Sequence, residues 1–359
     1  MRFRRPEGLR WACHGCARCC SSGYELGPVD EGTIEGLRAA DIGAQWAPAR
    51  DGWMDTRHTP EGPRHVLRQR DGRCIFLRDD DLCAIHALLG PDAKPGFCRE
   101  FPYHFVEDAA GTVAVVRPTC GGFHKTFSDA AVVGPELERI ASLPRVMPIR
   151  RWAPDAVVVL PGTAIGADAW LSIEPRLLDH LAASPRQPDA GVAFVRETLV
   201  AVTGATPVQA QPAIHRRALG ALLQALDSVL SQVTAGGGGQ AHQRRFAAES
   251  HARVRAARAN LDTPPPLSPD AVVYTGLLLR SFLLAKEFQA WGGVPEGLGV
   301  FLLGVAIARR AGGPELDDLG PHLAEWTAFR DNAMVTGLLR RAAPATRDLF
   351  LHASAAPAR

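Results

Sequence analysis

The chain has 359 residues, 46% hydrophobic and 22% charged, which is enough apolar material for a full core and unlike the composition of a disordered chain. Its formal net charge is +2, with 16 basic and 17 acidic residues up to position 120 and 24 against 21 beyond it. Neither part is therefore a polybasic nucleic-acid arm or an acidic tail. Lys94, Lys125 and Lys286 are the only lysines, against 37 arginines, and with the abundance of Ala, Gly and Pro this reads as coding bias. The length suits two domains.

The first residues, Met-Arg-Phe-Arg-Arg-Pro, are basic but lack the apolar stretch of a secretory signal. The most apolar segments, 271–285 and 300–308, are short and flanked or interrupted by Arg280, Glu287, Glu296 and Arg309. A span needs about 20 predominantly apolar residues, so no membrane association is expected and a cytoplasmic location is.

Residues 1–28 are dense in Cys, Gly and Ser, and predict an irregular segment in which Gly15 and Gly23 ease tight turns. Asp30 predicts a capped helix to about residue 40, because its carboxylate can accept the free amide hydrogens of the first turn. A loop rich in Trp, Pro and Gly is expected over 46–63. Residues 65–69 and 74–78 alternate around Asp71-Gly72, a hairpin signal. Asp81 then precedes a short helix over 82–89, stopped by Gly90-Pro91. A second hairpin is expected from 103–107 and 112–116 around Ala110-Gly111.

Beyond about residue 130 the chain reads as mainly helical. Residues 157–160 predict a strand, whereas 170–181, 192–203, 213–233 and 272–291 carry apolar residues at spacings of three and four. Residues 236–239 and 263–269 predict linkers. The arginines at 253, 255 and 258 predict a solvated helix face. The expected class is α+β: an irregular cysteine-rich domain over 1–130, then a mainly helical domain over 131–359.

The eight cysteines fall at 13, 16, 19, 20, 74, 83, 98 and 120, and none follows. The densest motif is Cys13-His-Gly-Cys16-Ala-Arg-Cys19-Cys20. A two-residue spacing lets a tight turn aim successive thiolates at one centre, as in zinc knuckles and iron–sulfur loops. Adjacent Cys19 and Cys20 are expected to diverge, each facing a different metal centre or a different part of a polynuclear one. Cys74-Ile-Phe-Leu, Cys83-Ala-Ile-His86 and Cys98-Arg-Glu-Phe-Pro follow. In a reducing compartment such clusters are metal ligands or redox groups more often than disulfides. His14, His86, His104 and His124 lie near cysteines in sequence and are weaker ligand candidates. Arg18 and Arg99 are candidates for offsetting thiolate charge. Phe76 and Phe101-Pro102 are expected to pack around the site and keep water from it.

Taken together, these fragments resemble the YkgJ-like "CxxCxxCC" family of zinc- or iron-chelating proteins over about residues 13–104. They are also similar to the cysteine region of flagellin lysine N-methylases. The resemblance implies metal chelation by Cys13, Cys16, Cys19, Cys20, Cys74, Cys83 and Cys98. Cys120 lies outside the core pattern and joins the candidates by proximity. Eight thiolates would fill two four-sulfur sites, either zinc centres or cubane 4Fe-4S clusters, and all-sulfur ligation favours soft ions without separating iron from zinc. Three functions follow as expectations. The first is a metal-binding module. The second is an S-adenosylmethionine-dependent methylase acting on a protein lysine, with flagellin as the type of substrate. The third is a redox or electron-transfer protein. No glycine-rich nucleotide turn, P-loop, serine elbow or zinc-protease motif occurs, since the segment from Val157 to Gly166 lacks the tight glycine spacing.

Overall fold

A computed structural model describes residues 3–21, 25–60, 62–146, 149–235, 241–261, 264–330 and 333–354. The turn glycine Gly23, the glycine run at 236–239 and Thr263 at the start of the second linker lie outside the described residues. The architecture is α+β, with short strands in small sheets early in the chain and helices through the rest. The chain forms two compact units. One comprises Phe3, Arg10–His104 and Cys120–Ile149, the other Arg4–Leu9, Phe105–Thr119 and the chain from Arg150 onward.

In the first unit, helix α1 (Arg18–Ser21) is a single turn inside the cysteine run. Helix α2 (Glu31–Ala39) starts as its sequence dictates: the Thr33 amide donates to Asp30 Oδ1 at 2.9 Å, and the Thr33 hydroxyl donates to Oδ2 at 2.7 Å. Its Ile34 and Leu37 enter a core with Leu26, Val29, Ile42, Leu67, Ile75, Phe76 and Ile85. The expected loop over 46–63 is in part a strand. β1 (Met54–Thr59) pairs antiparallel with β2 (Gly62–Leu67). No residue of β1 (Met-Asp-Thr-Arg-His-Thr) is buried, so it carries no alternation of apolar residues to announce it.

The Asp71-Gly72 hairpin forms, but with strands of two residues, β3 (Gln69–Arg70) and β4 (Arg73–Cys74). Both turn residues take positive φ, as a two-residue hairpin turn requires. Helix α3 (Ala84–Leu89) begins later than the sequence suggests, with Cys83 rather than Asp81 at its N-cap. Asp81 instead sits at positive φ in the preceding turn, and Cys83 bridges to Leu77. Helices α4 (Gly96–Glu100), α5 (Phe123–Thr126) and α6 (Gly134–Ala141) complete this unit.

The second unit holds most of the hairpin expected around Ala110-Gly111. β5 (Tyr103–Asp108), whose first two residues belong to the other unit, lies between β6 (Gly111–Val116) and β7 (Arg150–Arg151). Arg4 adds a parallel bridge to Val113. A further hairpin joins β8 (Val157–Leu160) and β9 (Thr163–Ile165), so the segment from Val157 to Gly166 is a strand pair rather than a nucleotide turn.

The helices are α7 (Ala167–Ala183), α8 (Pro188–Thr203), α9 (Pro212–Ala235), α10 (Ala241–Ala259), α11 (Pro269–Leu284), α12 (Val294–Ala311), α13 (Leu316–Arg330), α14 (Ala333–Arg341) and α15 (Ala343–Leu351). α12 is buried almost throughout. A Cβ at Gly299 would stand 1.8 Å from the Thr346 carbonyl oxygen, so only glycine permits the approach of α15. On α10, Arg253 is ion-paired with Glu325 and Arg258 with Asp227 at 2.5 Å, so this face is partly paired rather than simply solvated.

A charge-balanced knot lies in the interior of this unit. The Lys286 ammonium donates to Asp108 Oδ2 at 2.7 Å, to Glu174 and to the Leu284 carbonyl at 2.9 Å. Arg4 donates to Asp108 at 2.6 Å and to Glu174 at 2.5 Å. The Trp170 indole N–H donates to Glu174 at 3.0 Å. The side chains of Lys286, Asp108 and Glu174 are wholly buried, a state that buried charges tolerate only when paired and hydrogen-bonded. Among the described residues no helix is long and apolar enough to cross a membrane.

Candidate metal centre

The cysteine run is held on two sides within the first unit. Gly15, at φ +68°, turns the loop so that its Cα faces Leu82; a Cβ there would stand 3.3 Å from Leu82 Cδ2. On the other side Gly121 and Gly122 make room for the run. A Cβ at Gly121 would strike Arg18, and one at Gly122 would lie 2.9 Å from His14 Cβ and 3.6 Å from Cys16 Sγ. Leu82 and the Gly121-Gly122 pair thus anchor residues 14–18 beside two other cysteine-bearing segments, those of Cys83 and Cys120.

Within α1 the sulfurs of Cys19 and Cys20 are 3.6 Å apart. The expectation that neighbouring side chains diverge is therefore corrected. Ala17, at φ +53°, sharpens the turn into α1, and the two thiols come to lie side by side. Two thiolates on one tetrahedral zinc are about 3.8 Å apart, given a zinc–sulfur bond of about 2.3 Å. Their separation thus fits a shared ion.

Electrostatics link this pair to distant cysteines. The Cys19 thiol is pushed far up by its contact with Cys20 and by burial, with Lys94 opposing. Burial pushes Cys74 up to about 12, and Cys83 and Cys19 add to the effect. Burial also holds Cys98 well above the ordinary thiol range, again with Lys94 opposing and with Cys74, Cys83 and Cys19 contributing. Cys20 and Cys83 pack against the apolar cluster that contains Cys74, Ile75 and Phe76. Cys19, Cys20, Cys74, Cys83 and Cys98 therefore form one neighbourhood drawn from four stretches of chain.

Cys120 stands with Cys16. Its sulfur accepts a hydrogen bond from the Trp11 indole N–H at 3.4 Å, and burial raises it to about 11, with Cys16 and Cys19 contributing. Cys13 and Cys16 are exposed, Cys74 and Cys120 buried, and the other four between; all eight thiols are free. Among the described residues no three His, Cys, Asp or Glu side chains stand as a closed ligand set.

The donor chemistry nevertheless suits a soft cation. Buried, mutually repelling thiols resist ionisation, and a metal ion relieves that by stabilising the thiolate.

The other candidates divide. His14 and His86 are exposed. His124 is buried on α5. Arg99 donates its guanidinium hydrogens to the carbonyls of Asp92, Lys94 and Pro144, and the cation acting on Cys19 and Cys98 is Lys94. Sequence reasoning passed Lys94 over. Its rarity was the available signal, since it is one of three lysines in an arginine-dominated chain. Trp11 was also missed. Phe76 packs as expected, buried and tilted against Trp53 at a ring distance of 6.2 Å.

These features define a cysteine-rich, thiol-lined region in a chain whose remainder is mainly helical. Residues 12–121 match the family model described as "CxxCxxCC: Putative zinc- or iron-chelating domain", the family that the motifs resemble. No curated protein and no solved structure matches the chain, so the likeness to flagellin lysine N-methylases rests on the cysteine motifs alone.

Proposed function

We propose that the protein chelates zinc or iron through a thiolate centre built around Cys19, with Cys20, Cys74, Cys83 and Cys98 as its donors. One observation carries this reading: the Cys19 and Cys20 sulfurs lie 3.6 Å apart, and Cys20 packs with Cys83 against the apolar cluster that contains Cys74. Cysteines far apart along the chain are thereby gathered against one apolar cluster, and Cys19 and Cys98 share their electrostatic environment. Sulfur donors select soft ions over magnesium or calcium. A divalent ion held by four or more thiolates carries net negative charge, which Lys94 partly offsets.

The test is anaerobic purification of the full chain followed by metal and acid-labile sulfide analysis. Bound zinc without sulfide identifies a zinc centre, and iron with matching sulfide identifies a cluster. Cys74→Ser and Cys98→Ser should each lower the metal content by at least tenfold. A metal-free chain whose eight thiols all titrate readily with a disulfide reagent in the native state would sink the reading.

A further inference from the structure

The eight thiols are graded by depth, and that grading has a chemical use. Cys13 and Cys16 are exposed at the mouth of the run, Cys19 and Cys20 are half-buried, and Cys74 is buried. Within the run, exposure falls from Cys13 and Cys16 to Cys19 and Cys20. Cys16 lies against Gly122, beside Cys120, and Cys120 in turn neighbours Cys19 as well as Cys16. Cys19 is therefore the thiol common to the outer and the inner groups. The inner thiols have the apolar Ile75, Phe76 and Ile85 on their core side, whereas the most exposed sulfurs are those of Cys13 and Cys16.

We propose that Cys13 and Cys16 are not ligands of the final centre but the entry pair. They capture a soft divalent ion carried as a thiolate complex of low molecular weight and pass it inward through Cys19. This rests on the chelating reading above. Each step is a ligand exchange: one metal–sulfur bond forms as another breaks, and the proton lost by the entering thiol goes to the departing thiolate. The metal keeps its oxidation state throughout, so no oxidant or reductant is required. The turn at Gly15 suits the role, since a C-x2-C pair on an exposed loop can hold two sites of an ion while its carrier keeps the others.

The experiment uses the full metal-free chain under nitrogen and cobalt(II) supplied as its 2-mercaptoethanol complex. The thiolate-to-cobalt charge-transfer band reports loading. Cys13→Ser/Cys16→Ser should reach the same final band intensity as the wild type, but load at least tenfold more slowly and release cobalt to a chelator correspondingly more slowly. Cys16→Ser alone should show the same direction, and circular dichroism should match the wild type. Equal loading rates would overturn the entry role. A lower final intensity would overturn it too, by making the pair ligands of a second centre. A wild-type chain that never develops the band would overturn the chelating reading itself, which keeps the two failures distinct.

Discussion

Lys286 gives its three ammonium hydrogens to Asp108, Glu174 and the Leu284 carbonyl, and Arg4 supplies the second positive charge that balances the two carboxylates. Removing one member leaves an uncompensated buried charge. Lys286→Met is therefore expected to destabilise the helical unit by about 3–5 kcal/mol, measured by urea unfolding. Burial alone would raise the Asp108 pKa, but Lys286 and Arg4 together hold it below its ordinary 3.8. The unfolded chain thus binds more protons just below pH 3.8, and the stabilisation, complete above that pH, fades as pH falls through the lowered folded value. Melting temperatures followed from pH 6 to pH 2.5 should show a steep acid limb that Asp108→Asn flattens. None of this was legible in sequence, because Lys286 and Asp108 are 178 positions apart and no local pattern marks either. The cysteines were legible, since their chemistry is rare and their spacing short. Lys94 was visible only as a rarity.

At the scale of elements, the parts read correctly are those whose local rules agree. Asp30 caps α2, and Asp30→Ala should cost about 1 kcal/mol in thermal or urea unfolding, with the loss confined to the first unit. The hairpin at Ala110-Gly111 and the long helices declared themselves by period. The failures have equally local causes. β1 is polar with no buried residue, so nothing in its pattern favours a strand until β2 pairs with it. Asp81 looks like a cap, but the Leu77–Cys83 bridge moves the helix start to Cys83. Gly299 was silent in sequence, whereas in the structure it decides the packing of α12 on α15. Gly299→Leu should cost at least about 3 kcal/mol or prevent folding of the helical unit, while a Gly276→Ala control, with open space at its Cβ, should be tolerated. Comparing the two by circular dichroism melts separates packing from helix propensity.

At the scale of the molecule, the two units draw differently on their surroundings. The helical unit has a large apolar core of its own, including Leu222, Leu226, Leu278, Leu283, Leu298 and Leu303. The cysteine-bearing unit has short helices, the β1–β2 ribbon and a two-residue hairpin, with Cys74 built into its apolar cluster. If an ion joins those thiols, its binding free energy is also folding free energy. Stripping the metal-loaded chain with a strong chelator should therefore open residues 10–104 to proteolysis, while most of the helical circular dichroism persists. Loss of both together, or of neither, would contradict that division. How the segments divide was not legible, because periodicity shows where an element lies and not which unit it joins.

That interleaving has a practical meaning for the segment 12–121, which carries the whole cysteine pattern. Inside it, residues 105–119 belong to the helical unit, and the strand from Val113 to Val116 is almost fully shielded there. Excised as a cassette, the segment would bring along a greasy ribbon stripped of its cover, a ready nucleus for edge-to-edge clumping. Swapping the cysteine pattern between proteins, in the laboratory or over evolutionary time, would then demand that the ribbon's host travel with it.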